Sequence, residues 1–248
     1  MAVISNFGKP DLFITVTCNP QWPEILTEMK ETKPSDKLTI TARVFRLKLQ
    51  CIMDDILKKH IFGKVIAMMY VIEFQKRGLP HAHILLIIDD QSKPRTIDDF
   101  DCLVSAEIPD KNLHPQVNII LLFKFKVENS ENINSFKAWE TVTKSMIHGP
   151  CGVLNPKSPC MEDGVCSKRF PKEFCEQTAA NADGYPDYKR RDNNVTFKNK
   201  AGIEVGNNYV IPHNLYLVTK YNCHINVEIC SSVNKKIKKN IIPSSIIQ

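Results

Sequence analysis

Residues 78–88 read Gly78-Leu79-Pro80-His81-Ala82-His83-Ile84-Leu85-Leu86-Ile87-Ile88. A turn dipeptide opens the stretch, and a continuous apolar run closes it, so it reads as a buried strand. Side chains alternate faces along a strand, so His81 and His83 point the same way, with Leu85 and Ile87 deeper on that face. Ala82, Ile84, Leu86 and Ile88 take the other face. Two imidazoles at this spacing can grip one metal ion. The plainer alternative is a pair of half-exposed histidines at a strand end.

Upstream, Val65 to Phe74 is rich in apolar and β-branched residues and reads as a second strand. Arg77-Gly78-Leu79-Pro80 is the turn between them, so the two strands form a hairpin that brings Glu73 to the histidines. A carboxylate added to two imidazoles makes a three-ligand site with open positions, the pattern of a catalytic metal. The alternative for Glu73 is a solvated strand residue, which its neighbours Ile72 and Phe74 make less natural.

Working outward, Leu12 to Cys18 alternates as a strand. Asn19 to Pro23 ends it and opens a short helix through Lys30. Residues 37–60 read as a long amphipathic helix with Ile40, Val44, Leu47 and Cys51 as its core stripe. Residues 96–104 and 135–147 are further helix candidates, and 117–127 would be a strand. From His148 to Asn194 the chain is loop-rich, with many Pro, Gly and Cys and little periodicity. Such a segment needs a staple, and His148, Cys151, Cys160, Cys166 and Cys175 are zinc-ligand types. Their spacing is not the paired Cys-x-x-Cys kind, and free thiols are the alternative. Short strands return at 195–198, 203–205 and 208–211. The run 223–230 then alternates, with His224, Asn226 and Glu228 on one face and Ile225, Val227 and Ile229 on the other. That polar face suggests either a cleft or a half-solvated sheet surface.

The bulk properties agree with a folded domain. The chain has 248 residues, 43% of them hydrophobic, enough for a sizeable core. The net charge of +6 is compatible with an anionic partner. No apolar run has the length of a membrane span, and the N-terminus does not read as a signal peptide, so no membrane partner is expected. The nine cysteines are an odd number without a secretory signal, which favours reduced thiols or metal ligands over a disulfide framework.

Four blocks carry a resemblance to a known family. They are Asp11–Pro20, Glu73–His83, the Cys-rich middle, and Tyr221–Cys230. The Cys-rich block comprises Met146–Gly152, Cys160, Cys166–Lys172 and Gly184–Arg191. Together they resemble the N-terminal replication-initiator domain of Helitron transposases, the Helitron helicase-like domain. These are HUH endonucleases, named for histidine–hydrophobic–histidine. The resemblance spans most of residues 7–232.

The resemblance implies an α+β fold, a central antiparallel sheet flanked by helices, with the Cys-rich segment as a loop-rich insertion. In that division, residues 1–147 form the N-terminal part and 148–194 the Cys-rich segment. Residues 195–232 supply the last strands, and 233–248 are a divergent basic tail. It also implies nicking and joining of single-stranded DNA in rolling-circle transposition, and a nuclear location. His81 and His83 would hold Mg²⁺ or Mn²⁺ with Glu73 as third ligand, and imidazoles favour Mn²⁺. His148, Cys151, Cys160 and Cys166 are the candidate Zn²⁺ set. Lys168, Arg169, Lys189, Arg190 and Arg191 are candidate phosphate contacts, with solvated charge as the alternative for each cluster.

Three departures qualify this picture. The family carries two nucleophilic tyrosines one helical turn apart after the Asn-Val-Glu strand, whereas no tyrosine here follows Tyr221. Tyr216 and Tyr221 are the nearest substitutes, but five residues separate them, about 140° around a helix. Residues 117–137 have no counterpart in the family pattern. Finally, no helicase follows. The expectation is a cut-short or decayed copy that binds metal and single-stranded DNA with little covalent nicking. A non-catalytic DNA-binding remnant is the alternative, and a water-using metal hydrolase a third reading.

Overall fold

The computed structural model describes residues 6–29, 37–74, 79–111, 135–179, 185–199 and 202–230. The expected strand at 117–127 and the tail from 233 lie outside these residues. The fold is α+β, built on a four-stranded antiparallel sheet. In chain order the main elements are β1 (Leu12–Thr17), α1 (Pro23–Met29), α2 (Lys37–Leu57), β2 (Val65–Phe74) and β3 (Pro80–Ile88). Then come α3 (Ile97–Leu103), α4 (Ser135–Ser145), and the two-residue strands β4 (Met161–Glu162) and β5 (Val165–Cys166). A second short pair, β6 (Phe197–Lys198) and β7 (Glu204–Val205), precedes α5 (Leu215–Tyr221) and β8 (His224–Ile229). The strand order is β2-β3-β1-β8.

One face of the sheet is the core. Leu12, Ile14 and Val16 of β1, Ala82, Ile84 and Leu86 of β3, and Ile225 and Val227 of β8 have no exposed surface. Each large aliphatic side chain buried this way contributes about 1.5–3 kcal/mol. Helices α1, α2 and α5 pack on this face through Ile25, Phe45, Ile52, Ile56, Leu217 and Val218. The other face carries the alternate, polar set, including Thr15, Thr17, His81, His83, His224, Asn226 and Glu228, all partly exposed. Both halves of the 78–88 pattern therefore fall as the alternation requires.

The stripe expected on α2 is displaced. Thr41, Phe45, Leu49, Ile52, Met53 and Ile56 are buried, whereas Leu47 is 64% exposed and Cys51 is also exposed. The helix carries two apolar stripes offset by one residue, about 100°. The sheet takes the one with Phe45 and two isoleucines, which buries more apolar area. The expected strand at 208–211 is also corrected. Asn207–Tyr209 form a 3-10 turn, and only Val210 bridges Ile147. The Asn207 side chain accepts from the Ile108 N–H and donates to the Arg191 carbonyl, so it takes over bonds a ladder would make.

The two sheet edges differ. On β8 the outward N–H groups of Ile225, Val227 and Ile229 donate to Met146 Sδ, the Pro212 carbonyl and the Tyr188 hydroxyl. On the other side β2 is the edge strand among the described residues, with Ile66, Met69, Tyr70, Ile72 and Phe74 exposed. Among the described residues no helix is long and apolar enough to cross a membrane. All nine cysteines are free thiols.

Candidate metal centres and nucleic-acid face

The antiparallel register lines up residues across the polar face. Glu73, His81, Thr17 and His224 form one row, and Val71, His83, Thr15 and Asn226 form the next. Thr17 Oγ1 lies 2.9 Å from His81 Nδ1, and Thr15 Oγ1 lies 3.1 Å from His83 Nδ1. Holding Nδ1 in this way orients each ring and leaves Nε2 for a ligand, the arrangement that supports metal-binding histidines. His83 Nε2 is 3.4 Å from Glu73 Oε2. The Phe13 ring stacks on His83, with centroids 5.9 Å apart and an 8° interplanar angle. Burial, with His83 and His224 nearby, holds His81 below the usual histidine value against the pull of Glu73, so it keeps a lone pair at neutral pH. Two imidazoles and a carboxylate on a half-exposed face suit a divalent cation with open coordination positions. The two threonines were missed as supporting residues. Their signal in the sequence was the period-2 pair Thr15-Val16-Thr17.

The second centre is built from loops. Cys160 and Cys166 flank the β4–β5 hairpin, closed by Asp163 and Gly164, both at positive φ (50° and 78°). Two positive φ values are what a tight two-residue hairpin needs. His148 and Cys151 come from the preceding turn. The donor atoms of His148, Cys151, Cys160 and Cys166 all lie within 4.8 Å of one another, so the group can hold a metal ion. Cys175 is not part of it, since its thiol donates to the Tyr188 carbonyl at 2.9 Å. His148 Nε2 faces Cys166 Sγ at 3.5 Å, and its ring stacks on Phe170 at 4.2 Å. Burial opposes ionisation of Cys166. The backbone N–H groups of Phe170 and Lys168 and the thiols of Cys151 and Cys160 outweigh it and bring that thiol below its ordinary value. Burial and the neighbouring Cys166 and Cys160 thiols push Cys151 up to about 12. Thiols this close ionise together only when a cation offsets their charge.

Tyr216 and Tyr221 do not reach the histidine face. Both hydroxyls donate to Asp55 Oδ2 on α2, Tyr221 at 2.7 Å and Tyr216 at 3.4 Å. Lys220 bonds the same oxygen at 2.6 Å, and Lys59 takes Oδ1 at 2.8 Å. This cluster sits under the apolar face, across the sheet from His81 and His83. Burial and the Asp55 carboxylate raise the Tyr221 hydroxyl well above its ordinary value, the wrong direction for a nucleophile.

The basic candidates divide. Lys168 and Arg169 are exposed beside the Cys/His centre. Arg190 is buried and donates to the carbonyls of Asn207 and Val210. Arg191 makes a two-pronged pair with Glu107 at 2.8 and 2.6 Å, and Lys189 lies 3.4 Å from Asp101. Arg190 therefore spends its charge inside the fold, whereas Lys189 and Arg191 are paired with carboxylates at the surface. Near them, burial pushes Glu228 up to about 7, against the Tyr188 hydroxyl, Arg190 and Lys172. The Glu228 end of β8 is thus covered by the Cys-rich segment, and among the described residues the β3 half of the polar face stays open.

No curated protein matches the chain. The family model described as "Helitron helicase-like domain at N-terminus" matches residues 1–86, the stretch that holds β1 and the hairpin with Glu73, His81 and His83, so the resemblance drawn from the sequence is found there.

Proposed function

We propose that this chain is a replication-initiator-type DNA-binding domain of a Helitron-like transposon, which holds a divalent cation on its hairpin and binds single-stranded DNA there. The observation that carries this reading is the convergence of His81, His83 and Glu73 on the open half of the polar face, with His83 and Glu73 in contact at 3.4 Å. Mn²⁺ or Mg²⁺ suits that set, and the ion would polarise a phosphodiester oxygen and offset charge building on it. The chain's own residues hold the imidazoles by Thr15 and Thr17, and the exposed Lys168 and Arg169 offer further phosphate contacts beside the Cys/His centre, away from the hairpin. The thiolate-rich centre suits Zn²⁺, which prefers soft sulfur and nitrogen ligands in a closed tetrahedral set.

Strand nicking by this domain requires a nucleophile other than Tyr216 or Tyr221. The expected activity is therefore metal and DNA binding without a covalent intermediate. The test combines Mn²⁺ with a labelled single-stranded oligonucleotide. Retention on a filter should fall steeply with salt and weaken in the double variant His81→Ala/His83→Ala. A denaturing gel should show no covalent protein–DNA band. Such a band would overturn the non-nicking part of the reading, and equal binding by the double variant would remove the hairpin from it.

A further inference from the structure

The Cys/His centre and the hairpin lie on different parts of the molecule, yet a continuous set of hydrogen bonds joins them through β8. His148, a member of the centre, donates its N–H to the Tyr209 carbonyl at 2.8 Å. Two residues earlier, the Met146 carbonyl accepts from Ile211 at 2.8 Å, and Ile147 bridges Val210. From the other side of the centre, Lys172 N–H reaches the Asn208 carbonyl at 2.8 Å. Segments 146–148 and 208–212 are thereby zipped together, and both press on β8. Met146 Sδ accepts from Ile225, and the Pro212 carbonyl accepts from Val227 at 3.0 Å. The Ser145 carbonyl takes His224 Nδ1 at 2.9 Å. Nδ1 of a neutral imidazole facing a carbonyl carries the proton, so Nε2 of His224 is a bare lone pair. His224 stands in the same row as Thr17, His81 and Glu73.

The loop that carries the centre has little core of its own. Val153 is 98% exposed and Val165 67%, and only Cys151 and Cys166 are buried between residues 149 and 170. An assembly of this kind closes when an ion binds its ligands. We propose that metal occupancy at His148, Cys151, Cys160 and Cys166 orders the outer edge of β8 and, through the Ser145 carbonyl, sets the orientation of His224, a positioning residue for the ion site at His81 and His83. The part concerning the hairpin ion rests on the function proposed above, whereas the ordering of β8 stands apart from it.

The experiment uses the full chain, loaded with Zn²⁺ and then stripped by a thiol-directed mercurial, alongside Cys160→Ser and Cys160→His. Amide hydrogen exchange is followed at Ile225 and Val227, with Ile14 and Ile84 as references. Stripping, and Cys160→Ser, should speed exchange at Ile225 and Val227 by about tenfold or more while the references hold. Cys160→His keeps a ligand and should restore protection. Mn²⁺ binding, read by electron paramagnetic resonance, should weaken several-fold in stripped protein. His224→Asn keeps a donor for Ser145 but loses Nε2. It should weaken Mn²⁺ binding with β8 still protected and Zn²⁺ still bound. Unchanged exchange at Ile225 and Val227 on stripping overturns the proposal, as does equal loss at the reference amides, which would make the ion a whole-fold staple. Absence of any Mn²⁺ binding to the intact chain would instead sink the hairpin reading, and exchange alone would then decide the coupling.

Discussion

The two edges of the sheet solve the same problem differently. Each ends in a row of backbone groups without a strand partner. At β8, three outward N–H groups find a sulfur, a carbonyl and a phenol supplied by residues 146, 212 and 188. Among the described residues, the ten of β2 from Val65 to Phe74 form the other edge, with five large apolar side chains exposed. The sealed edge carries an architecture of loops and a metal-ligand cluster. The open edge carries Glu73 and leaves the adjoining histidines accessible. The difference teaches that the β8 edge is covered by segments on both sides of the Cys-rich loops and by Tyr188 within them, and that the candidate site at His81 and His83 lies on the half they do not reach.

Four predictions can break or sharpen that contrast. The largest effect belongs to the sealed side. Cys166→Ser replaces a buried soft ligand by a hydroxyl that Zn²⁺ holds poorly, and should cost about 3 kcal/mol or more, a fall of roughly 6–12 °C in melting temperature. An unchanged melting temperature in Zn²⁺ would mean the centre holds nothing that matters to the fold.

Next comes the lock beneath the apolar face. Asp55→Ala leaves Lys220 and Tyr221 without their shared acceptor and should cost about 2–3 kcal/mol in a denaturant titration. Burial works against the Asp55 carboxylate, but Lys220, Lys59 and Tyr221 outweigh it and hold its folded value below the ordinary one. A depressed acid contributes stability that is fully present above its unfolded value of about 4 and lost as pH falls through the lower folded value. Stability of the wild type should therefore drop below about pH 4 more steeply than that of Asp55→Asn. Parallel acid limbs in the two proteins would contradict the lock.

On the open half, Thr17→Val keeps the strand and removes the hydroxyl beside His81 Nδ1. Mn²⁺ affinity should fall about tenfold by calorimetry, with the melting temperature nearly unchanged. The smallest effect is expected at the bare edge. Tyr70→Thr and Ile72→Thr should each shift stability by no more than about 0.5 kcal/mol. A loss of several kcal/mol from either would show that β2 is covered in solution.

Much of the site was legible because short-range rules govern it. The alternation of Pro80–Ile88 determined which face His81 and His83 take, and the pairing of β2 with β3 set Glu73 opposite His81. The Cys/His set was legible by ligand type alone, since a loop-rich segment without apolar periodicity needs a cross-link. The misreadings have one cause. On α2 both Leu47 and Phe45 stripes obey the helical period, and only the sheet beneath chooses between them. At Lys189-Arg190-Arg191 the run of charge looks solvated, yet Arg190 is buried against carbonyls and Arg191 is clamped by Glu107, contacts more than eighty positions away for Glu107. At 208–211 the side chain of Asn207 replaced a ladder that the β-branched residues alone would favour.

The sequence by itself determined the strand faces, the hairpin, the donor types gathered at both candidate centres and the family resemblance, because period-2 alternation, turn residues and donor types are local properties. Only the tertiary structure decided which charges remain available, which stripe of α2 is core, and that Tyr216 and Tyr221 meet on Asp55. It also decided that the segment leading into the Cys/His centre packs on β8, where the Ser145 carbonyl holds His224. Those facts depend on where distant segments come to rest against one another, and the burial and pairing that follow are energies of the packed fold rather than of any stretch of chain.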